Sequence, residues 1–344
     1  MSKISRSQLR EGIDKAGAAI EAGDPLKVAH GLRTLVTYGL YKAFDDLRGE
    51  KRPFDREAFL KALGLAADIA SSHPKVEEAS ASEAASETIE TFTADLYGRC
   101  WTYYSDDDFL AMAKLFDSRF DKNGIQLDLK DKRCIDLGCG SGRYVVAMAD
   151  QGASESHGLD LSDDAIRDAK ARAARLGYGD HCSFRQGSML ELPFEDDSFD
   201  FVSCNGVIHH TTDPKRALAE LARVTSRSGM AYIMVYGSGE LWWELTDMIR
   251  AVMEPVPRGY AFAALDLLRV PPGKIFNYMD HMFVPCREII SHEEFQNRLR
   301  NVGFANWEIM ERGEMIDSAE RKALFAEDAD LVGEADLRYI CKFD

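Results

Sequence analysis

Residues 133–144 read RCIDLGCGSGRY, with Asp136 just ahead of Gly138, Gly140 and Gly142. Glycines that follow a short apolar run let the backbone turn sharply and let a ligand approach it closely. Turns of this kind cradle nucleotides, so the question is which nucleotide. A dinucleotide site asks for GxGxxG, with the pyrophosphate on a helix N-terminus. Here the spacing is GxGxG, and Arg143 stands at the third dinucleotide position. Asp136 repels a pyrophosphate and suits a ligand that carries positive charge. A second acid, Asp160, lies 20 residues after Gly140, in HGLDL (157–161). A carboxylate there can accept both hydroxyls of a ribose. NAD sites use the same device, so Asp160 alone does not discriminate between ligands. Asp136 and the stretches downstream do: S-adenosylmethionine has a sulfonium, an ammonium and no phosphate.

The elements that must position these acids follow from the rhythm of the chain. CIDL is a short apolar strand, and Gly142 to Gln151 reads as a helix. HGLDL is a second strand. Ser162 caps the next helix, with Gly177 beyond its end. CSFRQG (182–187) and FDFVSCNG (199–206) are a third and a fourth strand. Asp213 caps a helix with Pro214 in its first position, ending before Gly229, and MAYIMVYG (230–237) is a fifth strand. Ser291 to Glu294 form a capping box for a helix to Asn301, ended by Gly303. WEIMER (307–312) and LRYICKF (337–343) are two last strands, read as an antiparallel pair at the sheet edge. The alternation predicts an α/β fold, a doubly wound sheet that is mostly parallel.

Upstream, Ser5 to Ala22, Leu26 to Leu47 and Phe54 to Ala70 carry apolar residues near helical spacing. VEEASASEAASETIE (76–90) is either a linker or an exposed helix start. Residues 240–290, rich in Trp, Tyr, Met and Pro, interrupt the strand–helix rhythm as an insertion. The expected organisation is a helical extension (1–90, for dimerisation or as a lid), lid or linker helices (91–130) and a cofactor core (131–239). A substrate-cap insertion (240–290) and a C-terminal helix with edge strands (291–344) complete it.

Four stretches together, IDLGCGSG (135–142), GLDLSDDAIRDAKARA (158–173), GSMLELPFEDDSFDFVSCNGVIHHTTDP (187–214) and RVTSRSGMAYIM (223–234), resemble the class I S-adenosylmethionine-dependent methyltransferases. The branch is the one that includes the ubiquinone and menaquinone biosynthesis enzymes. The resemblance covers residues 133–236 by sequence and 291–343 by architecture; residues 1–90 and 240–290 have no matching counterpart. It implies a Rossmann-like sheet, S-adenosyl-L-methionine as cofactor, and roles for the matching positions. Asp136, Gly138 and Gly140 would line the methionine end. Asp160 would hold the ribose, with Leu161 against the adenine and Ser188 and Met189 at its edge. Many relatives have Asp where this chain has Ser188, which leaves the adenine amino contact weaker or made by backbone. Asn205 and Gly206 would face the methionine carboxylate and the reaction centre.

Other conspicuous residues admit two readings each. His209 and His210 either shape the loop after the fourth strand or serve chemistry, His209 as a base and His210 beside the cofactor. The cluster YGRCWTYY (97–104) is core, or a lid in which Tyr97, Trp101 and Tyr104 reach cofactor or substrate. In FNYMDHMFVPCRE (276–288), His281 orients the acceptor or takes its proton, Tyr278 walls the methyl path and Arg287 clamps a carboxylate. The rival is a hydrophobic cap or a dimer surface.

Composition bounds the rest. A net charge of -16, from 42 basic and 58 acidic residues, argues against a broad grip on nucleic-acid phosphates. The seven cysteines are scattered without CxxC or Cys–His spacing, so no metal site is expected. An odd cysteine count suits a reducing compartment, and no apolar run reaches the ~18 residues of a membrane span. The expectation is a cytoplasmic enzyme acting on a small, anionic or zwitterionic molecule, without nucleic-acid or membrane partners. The first helices could pair two chains as a homodimer. The competing expectations are a protein or RNA methyltransferase, and a non-catalytic cofactor-binding module.

Overall fold

Apolar runs that end in glycine turns build the sheet. The computed structural model describes residues 5–22, 30–49, 55–72, 88–313, 319, 331 and 333–344. Strands β1 (Arg133–Leu137), β2 (Glu155–Asp160), β3 (Cys182–Gln186), β4 (Phe199–Asn205) and β5 (Thr225–Tyr236) are joined by β6 (Asn306–Ile309) and β7 (Asp336–Lys342). Their order is β3-β2-β1-β4-β5-β7-β6. The first five run parallel, and β7 is antiparallel to both β5 and β6. The expected antiparallel pair therefore places its reversed strand one position in, with β6 at the edge. Parallel strands covered on both faces need continuous apolar runs. Ile135, Leu137, Val202, Cys204, Ile233 and Val235 accordingly lie in one buried core.

The chain divides into two compact units that interleave in sequence. The sheet unit takes Glu87–Ser238, Val284–Glu320 and Glu334–Asp344. Its helices are α4 (Ile89–Thr102), α5 (Asp106–Lys122), α6 (Arg143–Asp150), α7 (Asp163–Arg175), α8 (Pro214–Val224) and α12 (His292–Asn301). Ser162, Asp213 and Ser291 cap α7, α8 and α12 as their sequence positions predict. Each such cap contributes about 1 kcal/mol. Helix α8 stops at Val224, well short of Gly229, because Thr225 already pairs with Phe199. The register then slips, since Phe201 pairs with Met230. The polar stretch Ser226–Gly229, where the sequence predicts the end of the helix, is a bulge in a longer strand.

The helical unit takes Met1–Ser86, Gly239–Phe283 and Arg321–Gly333. It holds α1 (Arg6–Ala22), α2 (His30–Gly49), α3 (Arg56–Ser72), α9 (Leu241–Met253), α10 (Arg258–Leu267) and α11 (Pro272–Phe283). The insertion 240–290 thus contributes three helices, punctuated by prolines at 255, 257, 271 and 272. Helix α1 packs on α3 and α9. Glycine lets it come close: a Cβ at Gly17 would lie 2.5 Å from Met248 Cγ. Arg6 and Arg10 both reach Glu244 on α9. Most of 76–90 lies outside the described residues, as does Leu26 at the expected start of the second helix. No described helix is long and apolar enough to cross a membrane.

Candidate functional site

The carboxyl end of β1 carries a buried acid whose pairing is incomplete. Asp136 is 4% exposed, and among the described residues its Oδ1 has no hydrogen-bond partner. The register sets Ser203 of β4 beside it, fully buried, its Oγ likewise unpartnered. Burial pushes the Asp136 carboxyl up to about 7, against the pull of the Ser203 hydroxyl and the Arg143 charge, and Asp160 adds to the rise. Buried carboxylates are costly unless paired. An acceptor in this state fits a cationic group delivered by a ligand, so the residues present suit the ammonium and sulfonium of S-adenosylmethionine.

Asp160 ends β2 and is 8% exposed. One of its oxygens accepts the Gly140 N–H at 2.8 Å and the other the Ser162 N–H at 2.9 Å. Burial still raises its pKa, opposed by these same bonds. The acid therefore ties the glycine turn to the second strand and to the capped start of α7. Each oxygen keeps a lone pair for a ribose hydroxyl. Gly138, Gly140 and Gly142 all have left-handed φ values, of 75°, 52° and 87°. A Cβ on Gly138 would strike the Val207 side chain, and one on Gly140 would come within 2.6 Å of the Trp101 indole. The space that sequence reading assigns to ligand over Gly140 is lined in this structure by Trp101.

Helix α4 carries Tyr97 and Trp101 four residues apart on one face, and Gly98 lets the helix close onto Ser162. The Arg143 guanidinium lies 4.7 Å over the Trp101 ring, and Tyr104 stands 5.9 Å from it. Burial drives the Tyr104 phenol up to about 12, which keeps it protonated at neutral pH. Tyr97 reaches instead to His210, at 5.8 Å between ring centres.

His209 and His210 form a short 3₁₀ turn after β4, both buried. The His209 ring lies 4.0 Å from Tyr236, and His210 Nδ1 meets the Cys286 carbonyl at 2.9 Å. The Glu288 N–H donates to the His209 carbonyl at 2.9 Å. These bonds pin the segment bearing Arg287, itself half-buried, to the turn after β4. Asn205 and Gly206 sit at the end of that strand, Gly206 with φ 79°.

The adenine-side residues divide. Leu161 is half-buried and its carbonyl accepts from Gln186 at 3.1 Å. The Ser188 hydroxyl accepts the Leu190 N–H at 3.2 Å. Met189 is buried in the main core with Leu159 and Leu192. Tyr278 and His281 belong to the helical unit. Tyr278 is wholly buried, with its hydroxyl 2.7 Å from Thr37 Oγ1. His281 Nδ1 meets the Asn277 carbonyl at 2.7 Å, with Trp242 5.3 Å from its ring. Sequence reading missed Ser203, Tyr232 and Arg338. For Arg338 a signal existed: an arginine set between Leu337 and the apolar run Tyr339, Ile340 and Cys341.

Residues 135–233 match the family described as a methyltransferase domain. YcgJ of Bacillus subtilis, described as an uncharacterized methyltransferase, is 33% identical over 99 residues, 29% of this chain and 38% of that protein. A 2-phytyl-1,4-naphtoquinone methyltransferase of Trichormus variabilis is 30% identical over 152 residues, 41% of this chain and 66% of that protein. A demethylmenaquinone methyltransferase of Lactiplantibacillus plantarum is 25% identical over 178 residues, 50% of this chain and 70% of that protein. The chain thus matches less than two thirds of the length of the first two of these relatives. The glycine turn, both acids, the fourth strand and most of the fifth fall within the matched segment, so residues 135–233 carry a methyltransferase domain similar to those of these relatives.

Proposed function

We propose that the protein transfers a methyl group from S-adenosylmethionine to a small-molecule acceptor. The observation that carries this reading is Asp136: a buried, incompletely paired carboxylate at the end of β1, next to a glycine turn held by Asp160. Bound there, the cofactor supplies a methyl group on a sulfonium, open to in-line attack by an acceptor atom. Asp136 would face the cationic amino-acid end, and Asp160 would take the ribose. Trp101 and Tyr104 would cover the turn and keep water out, which is what positioning catalysis requires. Tyr104, held protonated, could donate a hydrogen bond but not act as a base at neutral pH. His209, close to the end of β4, is the base candidate in this unit for an acceptor that must lose a proton. Arg287 is the candidate clamp for an anionic or zwitterionic acceptor. We assign Tyr278 to packing, since its hydroxyl is spent on Thr37. His281 stays a candidate for orienting the acceptor.

The quinone methyltransferases among the relatives support a small acceptor, as does the acidic net charge. The exposed Leu35 and Leu65 on α2 and α3 support a homodimer through these helices, to be read by sedimentation. Incubation with methyl-labelled cofactor and a fractionated lysate tests the reading. Label in metabolites supports it. Label in protein or RNA moves the assignment to a macromolecular acceptor, and label in no fraction leaves a binding module.

A further inference from the structure

A buried polar group joins β4, β5 and β7 and has no part in the scheme above. Arg338 on β7 is 2% exposed. Its Nη2 pairs with Asp336 Oδ2 at 3.0 Å. Its Nη1 donates to Asn205 Oδ1 at 3.0 Å and to the Tyr232 hydroxyl at 3.1 Å. The Tyr232 hydroxyl in turn donates to Asn205 Oδ1 at 2.9 Å. A guanidinium has donors only, so the Asn205 atom it meets must be the carbonyl oxygen. The amide is thereby oriented by chemistry, and its Nδ2 points the other way. Among the described residues no hydrogen bond engages that nitrogen.

The register relates this amide to Asp136. Asp136 pairs with Ser203, two residues before Asn205 on the neighbouring strand. Both side chains therefore stand on one face of the sheet, roughly 5 Å apart across the strands and roughly 7 Å along them. One offers an acceptor in need of a donor, and the other offers donors in need of an acceptor. An α-amino acid group carries the matching pair, an ammonium and a carboxylate.

We propose that Arg338 and Tyr232 are positioning residues that hold the Asn205 amide with its N–H edge toward the ligand, as the carboxylate-binding partner of Asp136 in a clamp for the amino-acid end of the cofactor. This rests on the assignment of S-adenosylmethionine to the β1 end. Neither Arg338 nor Tyr232 touches the ligand. They act by denying the amide its flipped state, which would turn a carbonyl oxygen against a carboxylate.

The test is calorimetry with S-adenosylmethionine and with its decarboxylated form, which lacks only the carboxylate. Asn205→Asp keeps an acceptor for Arg338 and Tyr232 and removes the N–H donors. It should weaken S-adenosylmethionine by about 30-fold or more while the decarboxylated form stays within about threefold. Arg338→Met and Tyr232→Phe should shift the ratio of the two affinities the same way, by about 10-fold and about threefold. Tyr232→Phe removes one oxygen and keeps the packing, so it remains informative if Arg338→Met fails to fold. Equal losses for both ligands would mean that the network serves the fold alone. No loss for either would mean that the amide does not face the carboxylate. Either result overturns the clamp. Wild-type protein that binds neither compound overturns the cofactor assignment itself, and is told apart because the defect precedes any substitution.

Discussion

Two buried residues, one from each unit, handle polarity in opposite ways. In the sheet unit, Asp136 is buried with an oxygen that no described residue satisfies, beside a serine hydroxyl in the same condition. In the helical unit, Tyr278 is buried with its hydroxyl bound to Thr37, whose own proton goes to the Arg33 carbonyl at 2.5 Å. Native interiors pair nearly all their polar atoms, so an unmet need at a strand end is where the proposed ligand would complete the structure. A satisfied group marks packing. In the sheet unit the incomplete acid is followed by left-handed glycines, with Trp101 packed over Gly140. The helical unit surrounds its tyrosine with Tyr38 and Tyr41 in edge-on contact, at 5.6 and 5.3 Å. Substitutions in the first region should change ligand affinity, and substitutions in the second should change stability.

The largest effect is expected at Gly140. Valine there would need φ near 52° and would press a branched side chain into Trp101. Strain of about 1–3 kcal/mol, added to the clash, should take cofactor affinity down by at least about 100-fold. Hydrogen exchange should quicken in residues 133–160 while 30–49 keep their protection. Normal affinity in a folded Gly140→Val protein would show that the turn is not part of the site.

Next comes Asp160→Ala. It removes the acceptor for the Gly140 and Ser162 N–H groups together with the proposed ribose contact. A loss on the order of 1.5–3 kcal/mol in binding is expected, roughly 10- to 150-fold, measured by calorimetry on the folded protein. Unchanged affinity would confine this acid to holding the turn.

Asp136→Asn separates affinity from stability. The folded carboxyl titrates at about 7, above the ordinary value for aspartate, because burial disfavours its charge. Its charged form is the one that attracts a cationic ligand. Wild-type affinity should therefore fall by up to about tenfold as pH drops from 8 to 6, and the asparagine variant should lose most of that slope. Stability runs the other way. A raised carboxyl pKa favours the folded state at low pH, and that advantage is lost as pH rises from the ordinary carboxylate range through about 7. Without ligand at pH 8 the variant should be the more stable protein, by about 1–3 kcal/mol in urea unfolding. A variant that is both weaker-binding and less stable would mean that the acid is satisfied within the fold.

What the sequence disclosed follows the same division. The sheet's strands and caps are local signals: an apolar run, a glycine, a serine or aspartate before a helix. The glycine turn and both acids were legible because their spacing is fixed within about 30 residues. The Arg338–Asn205 pair spans 133 positions, and no local pattern announces which strand lies beside which. Trp101 over Gly140 is hidden for the same reason, since α4 reaches the turn only through its packing on α7. In the insertion, the mixture of Trp, Tyr, His and Arg resembled a polar pocket. Helical spacing, however, puts Ile275, Tyr278, Met279 and Met282 on the buried side of α11.

Tyr278→Phe gives the smallest effect and bears most directly on that last point. The substitution removes one oxygen from a fully buried site and keeps the ring in its contacts with Tyr38 and Tyr41. The hydroxyl donates to Thr37 Oγ1, because the single Thr37 proton is committed to the Arg33 carbonyl. Thr37 keeps that bond in the variant and loses only an incoming donor. Burial holds the phenol protonated, well above its ordinary pKa, so no charge is removed with the oxygen. Stability should fall by about 1 kcal/mol, the net worth of one buried neutral hydrogen bond. Cofactor affinity, and turnover once an acceptor is known, should stay at wild-type values. Urea unfolding and calorimetry on the same preparation decide the matter. If turnover drops instead while stability holds, Tyr278 walls the acceptor's path, and the helical unit shares in the chemistry that its paired interior argues against.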